Sequence, residues 1–408
     1  MSLVREADVC RAALSGVRWV GVGSSRAFDP RAAAAAATAA AVGGRRVGLL
    51  LVGCSAAYDP EGVAAGVGEA ADRTAMIGGS TAGEICGSES TSRGLVVVAL
   101  GGPGFRVATS AAQIDSLGPR AAGEQAAGCI AAVADSSAQV LLMLSDGTAG
   151  DQQEVLRGAY RTAGAGVPLV GGACGTVPGG GAAWQLHDGQ VLNGAVVVAA
   201  LGSQGRFGVG VGHGWQPFGV PLLVTASSGN VVLELDDEPA LGVYLSRLPP
   251  SAGLVVPTGP GTEWSETEFA KAAMTHPLGL RRRSGPLIRS VIGAQPAAGA
   301  LVCAAEVPQG ALVWLMSGDA CSALDGVDQA CAQALAGLGG MPPAGLVSFD
   351  CVARQRLLGG AGVVEEARRL AAQAAGVPVA GMYTFGEIAR TQGLSGFHNK
   401  TVAVLAVS

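Results

Sequence analysis

The chain has 408 residues, 49% of them hydrophobic and only 14% charged, with 65 glycines, a balance that argues against disorder and for two or three domains with large cores. A formal net charge of −5 lacks the basic footprint that nucleic-acid binding needs. Nine scattered cysteines form no C-x-x-C, so structural zinc and thioredoxin-type redox chemistry find no support, and no stretch supplies the roughly 20 apolar residues of a membrane span.

The first 23 residues, "MSLVREADVCRAALSGVRWVGVG", carry Arg5, Glu6, Asp8, Arg11 and Arg18, which interrupt any secretory apolar region. With the odd cysteine count this predicts a reducing cytoplasm. "VGLLLVGC" (47–54) has the density of Leu and Val expected of a strand buried on both faces. A helix over 60–75 opens at Pro60 and Glu61. "AMIGGSTAGEI" (75–85) is a strand running into a glycine-rich turn. "GLVVVAL" (94–100) and "FRVATSAA" (105–112) are two further strands, expected as antiparallel neighbours across Gly101–Gly104.

The order then recurs. "AQVLLMLSDG" (138–147) is a strand, 151–164 a helix, "GVPLVGGACG" (166–175) a strand into a turn, and 194–202 and 207–215 are strands. Residues 220–239 read as a hairpin around Ser228-Gly229-Asn230, and 240–250 as a helix stopped by Pro249-Pro250. The stretch 253–285 is polar and irregular, its Arg281-Arg282-Arg283 run expected as a solvated loop, and strands follow around 287–292, 300–306 and 311–316. A third copy runs through "PAGLVSFDC" (343–351), a helix over 363–376, "VPVAGMYTFGEI" (377–388) and the closing strand "KTVAVLAVS" (400–408). The fold class is α/β, with repeated β-α-β-β modules forming two packed mixed-sheet domains, 18–236 and 237–408.

One phrase is written twice: "GGSTAGEI" at 78–85 and "GMYTFGEI" at 381–388 share G-x-x-T-x-G-E-I. Together with "VGVGSSRAFDPRAAAAAA" (20–37), "PQGALVWLM" (308–316), "GLVSFDCVARQRLLGG" (345–360) and "FHNKTVAVLA" (397–406), these segments resemble the FIST family, named for F-box and intracellular signal transduction proteins. The resemblance covers nearly the whole chain. It implies an intracellular sensory module that binds a small ligand, with an amino acid as the candidate and a signalling protein as partner. The chain is expected to act as a stand-alone module and to need no cofactor or metal.

Glycine-rich turns at strand ends expose backbone N–H groups, and ligands of open α/β sheets sit beyond the carboxyl ends of strands. Thr81 and Thr384 add hydroxyls, and Glu84 and Glu387 add carboxylates able to receive an ammonium group. Two readings stand open: equivalent loops lining one shared cleft, or each Glu accepting the N–H groups of its own turn. In "FDCVAR" (349–354), Cys351 ends a strand and Arg354 offers a fork for a carboxylate, or pairs with Asp350 or Glu387. Tyr383 and Phe385, alternating with Thr384, could wall a pocket or join the core. His398 and Asn399, before the last strand, offer directional hydrogen bonds to a ligand or to their own loop.

The enzyme motifs tested fail. There is no G-x-x-x-x-G-K-[ST], no H-E-x-x-H, and "GGSTAG" has Ala82 where a nucleophile elbow needs glycine. The surviving catalytic alternative is acyl transfer or hydrolysis by Cys351, activated by His398 and oriented by Glu387. A protein-interaction scaffold is the third reading. The chain is expected not to be an enzyme.

Overall fold

The computed structural model describes residues 17–71, 74–176, 182–252, 265–282, 285–390 and 396–408. Three stretches of chain build one repeated unit. The first runs β1 (Trp19–Ser25), α1 (Pro30–Val42), β2 (Leu49–Ser55), α2 (Pro60–Ala70), β3 (Ala75–Thr81), the hairpin β4 (Glu84–Cys86) and β5 (Glu89–Thr91), then β6 (Leu95–Gly101). The second runs β7 (Arg106–Gln113), α3 (Ile114–Leu117), α4 (Pro119–Ala127), β8 (Ala138–Asp146), α5 (Gln152–Ala163) and β9 (Leu169–Cys174). It closes with the hairpin β10 (Gln185–His187) and β11 (Gln190–Leu192), then β12 (Ala195–Ser203).

β13 (Phe207–Gly212) opens the third unit, and an insert interrupts it. The insert holds β14 (Gln216–Ser228), β15 (Val231–Leu235), β16 (Glu238–Pro239), α6 (Ala240–Arg247), α7 (Glu266–Thr275), β17 (Leu278–Leu280) and β18 (Leu287–Arg289). It ends with β19 (Val291–Gln295), β20 (Ala300–Cys303) and β21 (Leu312–Ser317). The unit resumes with α8 (Ala320–Gly337), β22 (Gly345–Cys351), α9 (Val352–Gln373), β23 (Val379–Thr384), the hairpin β24 (Glu387–Arg390) and β25 (Phe397–His398), and β26 (Val402–Val407).

Each unit pairs its strands in one order: β1-β6-β2-β3, β7-β12-β8-β9 and β13-β26-β22-β23. The last two strands of each set are parallel, as a strand–helix–strand crossover requires. A neighbour's hairpin completes every sheet. β10-β11 adds to β3, β24-β25 to β9, and β4-β5 to β23. The three units thus pass their hairpins around a ring. The insert makes an eight-stranded sheet of its own, β18-β17-β21-β14-β15-β20-β19 with β16 on β15.

Strand alternation explains the layers. Leu49 and Leu51, Val140, Leu142 and Leu144, and Val347 and Phe349 face one shared core between the three sheets. Their neighbours Leu50 and Val52, Leu141 and Met143, and Leu346 point outward to the helices. Both faces being covered, the strands read as unbroken apolar runs. The helices start where short polar residues can cap them: Asp29, Asp59, Asp151 and Asp319 accept N–H groups from the first turns of α1, α2, α5 and α8.

Several expectations change. β6 and β7 are not a hairpin: β6 lies between β1 and β2, and β7 opens the next unit against β12. Glycine between two strands marked the boundary of a unit here, not a tight turn within one. The polar stretch 253–285 contains α7 and β17, the helix being capped by Ser265. The stretch between β15 and β16, where residues 236–237 fall, belongs to the insert, and strands on its two sides pair, β13 with β26, β4 with β23 and β9 with β24. The first 16 residues and 177–181 of the second glycine-rich turn lie outside the described residues.

Candidate functional site

The doubled phrase is the point where the chain leaves its own sheet for the neighbour's. After β3, Thr81 Oγ1 donates to Glu84 Oε1 at 2.6 Å, and after β23, Thr384 Oγ1 donates to Glu387 Oε1 at 3.4 Å. The glycine between them is crowded at both positions. A Cβ on Gly83 (φ 156°) would meet Thr91 O at 2.7 Å, and one on Gly386 (φ 142°) would meet Phe397 Cζ at 2.2 Å. Glu387 Oε2 also accepts the Thr401 N–H and hydroxyl at 3.2 and 2.8 Å.

The two glutamates do not share a cleft. Glu84 lies in the third sheet opposite Met382, and Glu387 in the second opposite Gly172. Both are buried, and burial raises each carboxyl to about 8, against the Thr81 hydroxyl in one case and Thr401 in the other. Glu387 braces the start of β26 through Thr401, fourteen residues on, and not the N–H groups of its own turn. Glu84 Oε2 has no hydrogen-bond partner among the described residues.

Arg354 belongs to the interior. Its guanidinium donates to Asp350 at 2.8 Å, to Glu366 at 2.6 Å and to the Ala323 carbonyl at 2.9 Å, and the side chain is fully buried. Tyr383 donates to the other Glu366 oxygen at 2.7 Å. Burial works against the Arg354 charge, but the two carboxylates outweigh it and raise its pKa. Asp350 is pushed well up by burial, which Arg354 opposes only in part. The expected ligand fork is thus spent on an internal network, and Tyr383 is core.

A cavity of about 310 Å³ opens beside this network, where the carboxyl end of β22 meets the insert. Cys351, Val352, Ala353 and Arg356 form its floor, with Phe385, Asn399 and Lys400 beside them. The insert closes the other side with Ala270 and Met274 of α7, Ser290, Val291, Ile292 and Ala304. Asn399 is buried, and its Oδ1 has no partner among the described residues. Arg356 is exposed. Lys400 Nζ reaches the Met274 carbonyl at 2.9 Å, and its own carbonyl accepts the Trp215 indole N–H at 2.9 Å. Burial lowers the Lys400 amine to about 8.

Burial raises the Cys351 thiol, and the Glu387 carboxylate raises it further. His398 Nε2 donates to the Ala389 carbonyl at 3.0 Å, and burial lowers its imidazole to about 4, which leaves it neutral. A second hollow of about 460 Å³ lies at the matching tip of the first unit, between Arg26, Phe28, Tyr58 and Arg93. No group of three or more His, Cys, Asp or Glu among the described residues is placed to hold a metal.

The FIST N domain model matches residues 48–238, and the FIST C domain model matches 240–390. The chain belongs to the FIST family. FIST domains are associated with signal transduction and a sensory role. The chain is also similar to an uncharacterized protein of Methanocaldococcus jannaschii, 26% identical over 153 residues, which is 38% of this chain and 30% of that protein. The boundary between the two FIST models falls at the start of α6, within the insert.

Two charged residues of the cavity, Arg356 and Lys400, are not among the candidate site residues of the sequence. Arg356 sits two places after Arg354 on α9, and helical geometry turns the two apart: Arg354 and Leu358 point inward, Arg356 to solvent. Lys400 follows Asn399 in a segment noted only for His398 and Asn399. Its signal was compositional, because Lys271 and Lys400 are the only lysines in the chain. No helix among the described residues is long and apolar enough to cross a membrane.

Proposed function

We propose that this FIST protein is a sensory module whose small ligand occupies the cavity between β22 and the insert. The observation that carries the reading is Asn399 Oδ1, a buried acceptor without a partner in the wall of a hollow that two parts of the fold share. An amino acid with an apolar side chain suits the lining. Its carboxylate would meet Arg356, its ammonium group Asn399 Oδ1, and its side chain Met274, Ile292 and Phe385. A ligand touching both walls would favour one arrangement of insert and core, which is what a sensor needs in order to report occupancy to a partner. The module acts by binding, in the cytoplasm, and the raised Cys351 thiol supports that reading over cysteine catalysis.

A thermal-shift panel of leucine, isoleucine, methionine and phenylalanine tests it. A true ligand raises the melting temperature, with about 2.7 kcal/mol of stabilisation at a hundred times Kd. Arg356→Ala should abolish the shift. A panel without effect, or a shift that Arg356→Ala leaves intact, overturns the proposal.

A further inference from the structure

We propose that Lys400 makes this cavity a site of covalent carbonyl capture, its amine condensing reversibly with a small 2-oxo acid. The inference rests on the reading that the cavity holds a small carboxylate ligand, and it takes the 2-oxo acid, rather than the amino acid of the same side chain, as the species captured. Lys400 is 2% exposed yet forms part of the cavity wall. Its Nζ touches neutral groups, the Met274 carbonyl at 2.9 Å and the Met274 thioether at 3.6 Å, with the Trp215 ring centroid 5.6 Å away. Among the described residues it has no carboxylate partner. An amine so placed is held against an apolar hollow without being neutralised by an ion pair, the setting that activates nucleophilic lysines.

The backbone gives a separate indication. Lys400 has φ 53°, in the left-handed region, and the matching place before the last strand of the second unit is Gly194, φ 60°. A side chain there costs on the order of 1 kcal/mol that glycine would not. The chain otherwise favours arginine heavily, with 26 basic residues of which only Lys271 and Lys400 are lysines. A primary amine, and not merely a cation, occupies this strained place. The depressed amine leaves about a tenth of Lys400 uncharged at neutral pH.

The chemistry closes on the groups present. The free amine attacks the carbonyl carbon of the oxo acid and the C=O pair moves to oxygen. A proton passes from nitrogen to that oxygen, giving a carbinolamine. Loss of the hydroxyl group with a further proton releases one water as the C=N bond forms. Asn399 Oδ1 can accept from the carbinolamine hydroxyl, and Arg356 holds the carboxylate. No oxidant or further reactant is needed.

The test uses the full-length protein with 4-methyl-2-oxopentanoate, followed by sodium cyanoborohydride and peptide mapping. Trapping should add the oxo acid less one oxygen at Lys400. It should run on the order of a hundredfold faster than at an ordinary surface lysine, from the ratio of free-amine fractions. Lys271, exposed on α7, is the internal control, and Lys400→Arg removes the adduct. Mapping of the unaltered chain keeps the test valid if that variant folds poorly. A thermal shift with the oxo acid but no Lys400 adduct overturns the covalent step and leaves the binding reading standing. Labelling confined to Lys271 or the chain terminus also overturns it. Absence of both shift and adduct overturns the covalent step, while the binding reading stands or falls on the amino-acid panel.

Discussion

Glu387 and Gln185 hold the same post in two units: Glu387 Oε2 accepts the Thr401 N–H at 3.2 Å, and Gln185 Oε1 accepts the Ala195 N–H at 3.1 Å. Each is the first residue of an exchanged hairpin, reaching back to the last strand of its own unit. An amide thus does in the second unit what a carboxyl does in the third. The bond, and not the charge, is what the position requires.

That equivalence sets a pH-dependent prediction. Burial raises Glu84 and Glu387 to about 8, while the same groups ionise near about 4.3 in an unfolded chain. A raised folded pKa contributes stability that is whole below the unfolded value and is lost as pH rises through the folded one. Glu84→Gln and Glu387→Gln remove that loss. Relative to the parent, each variant should therefore gain stability between about pH 5 and pH 8, as read by urea unfolding. A variant-to-parent difference that stays constant over this interval would refute the raised carboxyls.

Glycine in the exchange turn is expected to be far less replaceable than glycine in a helix. At Gly386, Cβ would overlap the Phe397 ring at 2.2 Å and the backbone would be strained at φ 142°. Gly386→Ala should cost about 2 kcal/mol or more. Gly68, inside α2, has open space around its Cβ position, and Gly68→Ala should stabilise by about 0.5–1 kcal/mol. Denaturation midpoints of the two variants should move in opposite directions.

The sequence shows the units more readily than their assembly. Apolar runs such as Leu49–Val52 mark buried strands because helices and the central core cover both faces, and Asp29 and Asp59 mark helix starts through their caps. The hairpin exchange is not visible there, because Glu84 and Glu387 look the same whether they return to their own sheet or join another. Arg354 was legible as a carboxylate fork, with Asp350 as one of its candidate partners, but the second carboxylate that fills it, Glu366, is set by the packing of β22 and α9. The cavity depends on an insert arriving from residues 216–317, a juxtaposition no local pattern records. Of the candidate residues in the sequence, Cys351, Phe385 and Asn399 line that cavity.

Cysteine labelling separates burial from reactivity. Cys351 is 4% exposed, and burial together with Glu387 raises its thiol, so little thiolate forms near neutral pH. Cys321, at the start of α8, is exposed. Iodoacetamide at about pH 7.5 should modify Cys321 well before Cys351, with the order read by peptide mass spectrometry. Rapid alkylation of Cys351 in the native protein would restore the catalytic reading.

Arg354 should prove a stability residue with a large effect. It neutralises Asp350 and Glu366 in a site from which water is excluded, and it also satisfies the Ala323 carbonyl. Replacing it by methionine keeps the volume but strands two carboxylates and that carbonyl, a change that costs about 3–5 kcal/mol. Removing one acidic partner as well should recover part of the loss, because one fewer buried carboxyl is then left without a cation: Arg354→Met with Glu366→Gln should be more stable than Arg354→Met alone. The Tyr383 hydroxyl, which donates to Glu366, can donate equally to the Gln oxygen. Equilibrium urea unfolding of the two variants measures the difference. If Arg354→Met costs less than about 1 kcal/mol, the network is not charged as described.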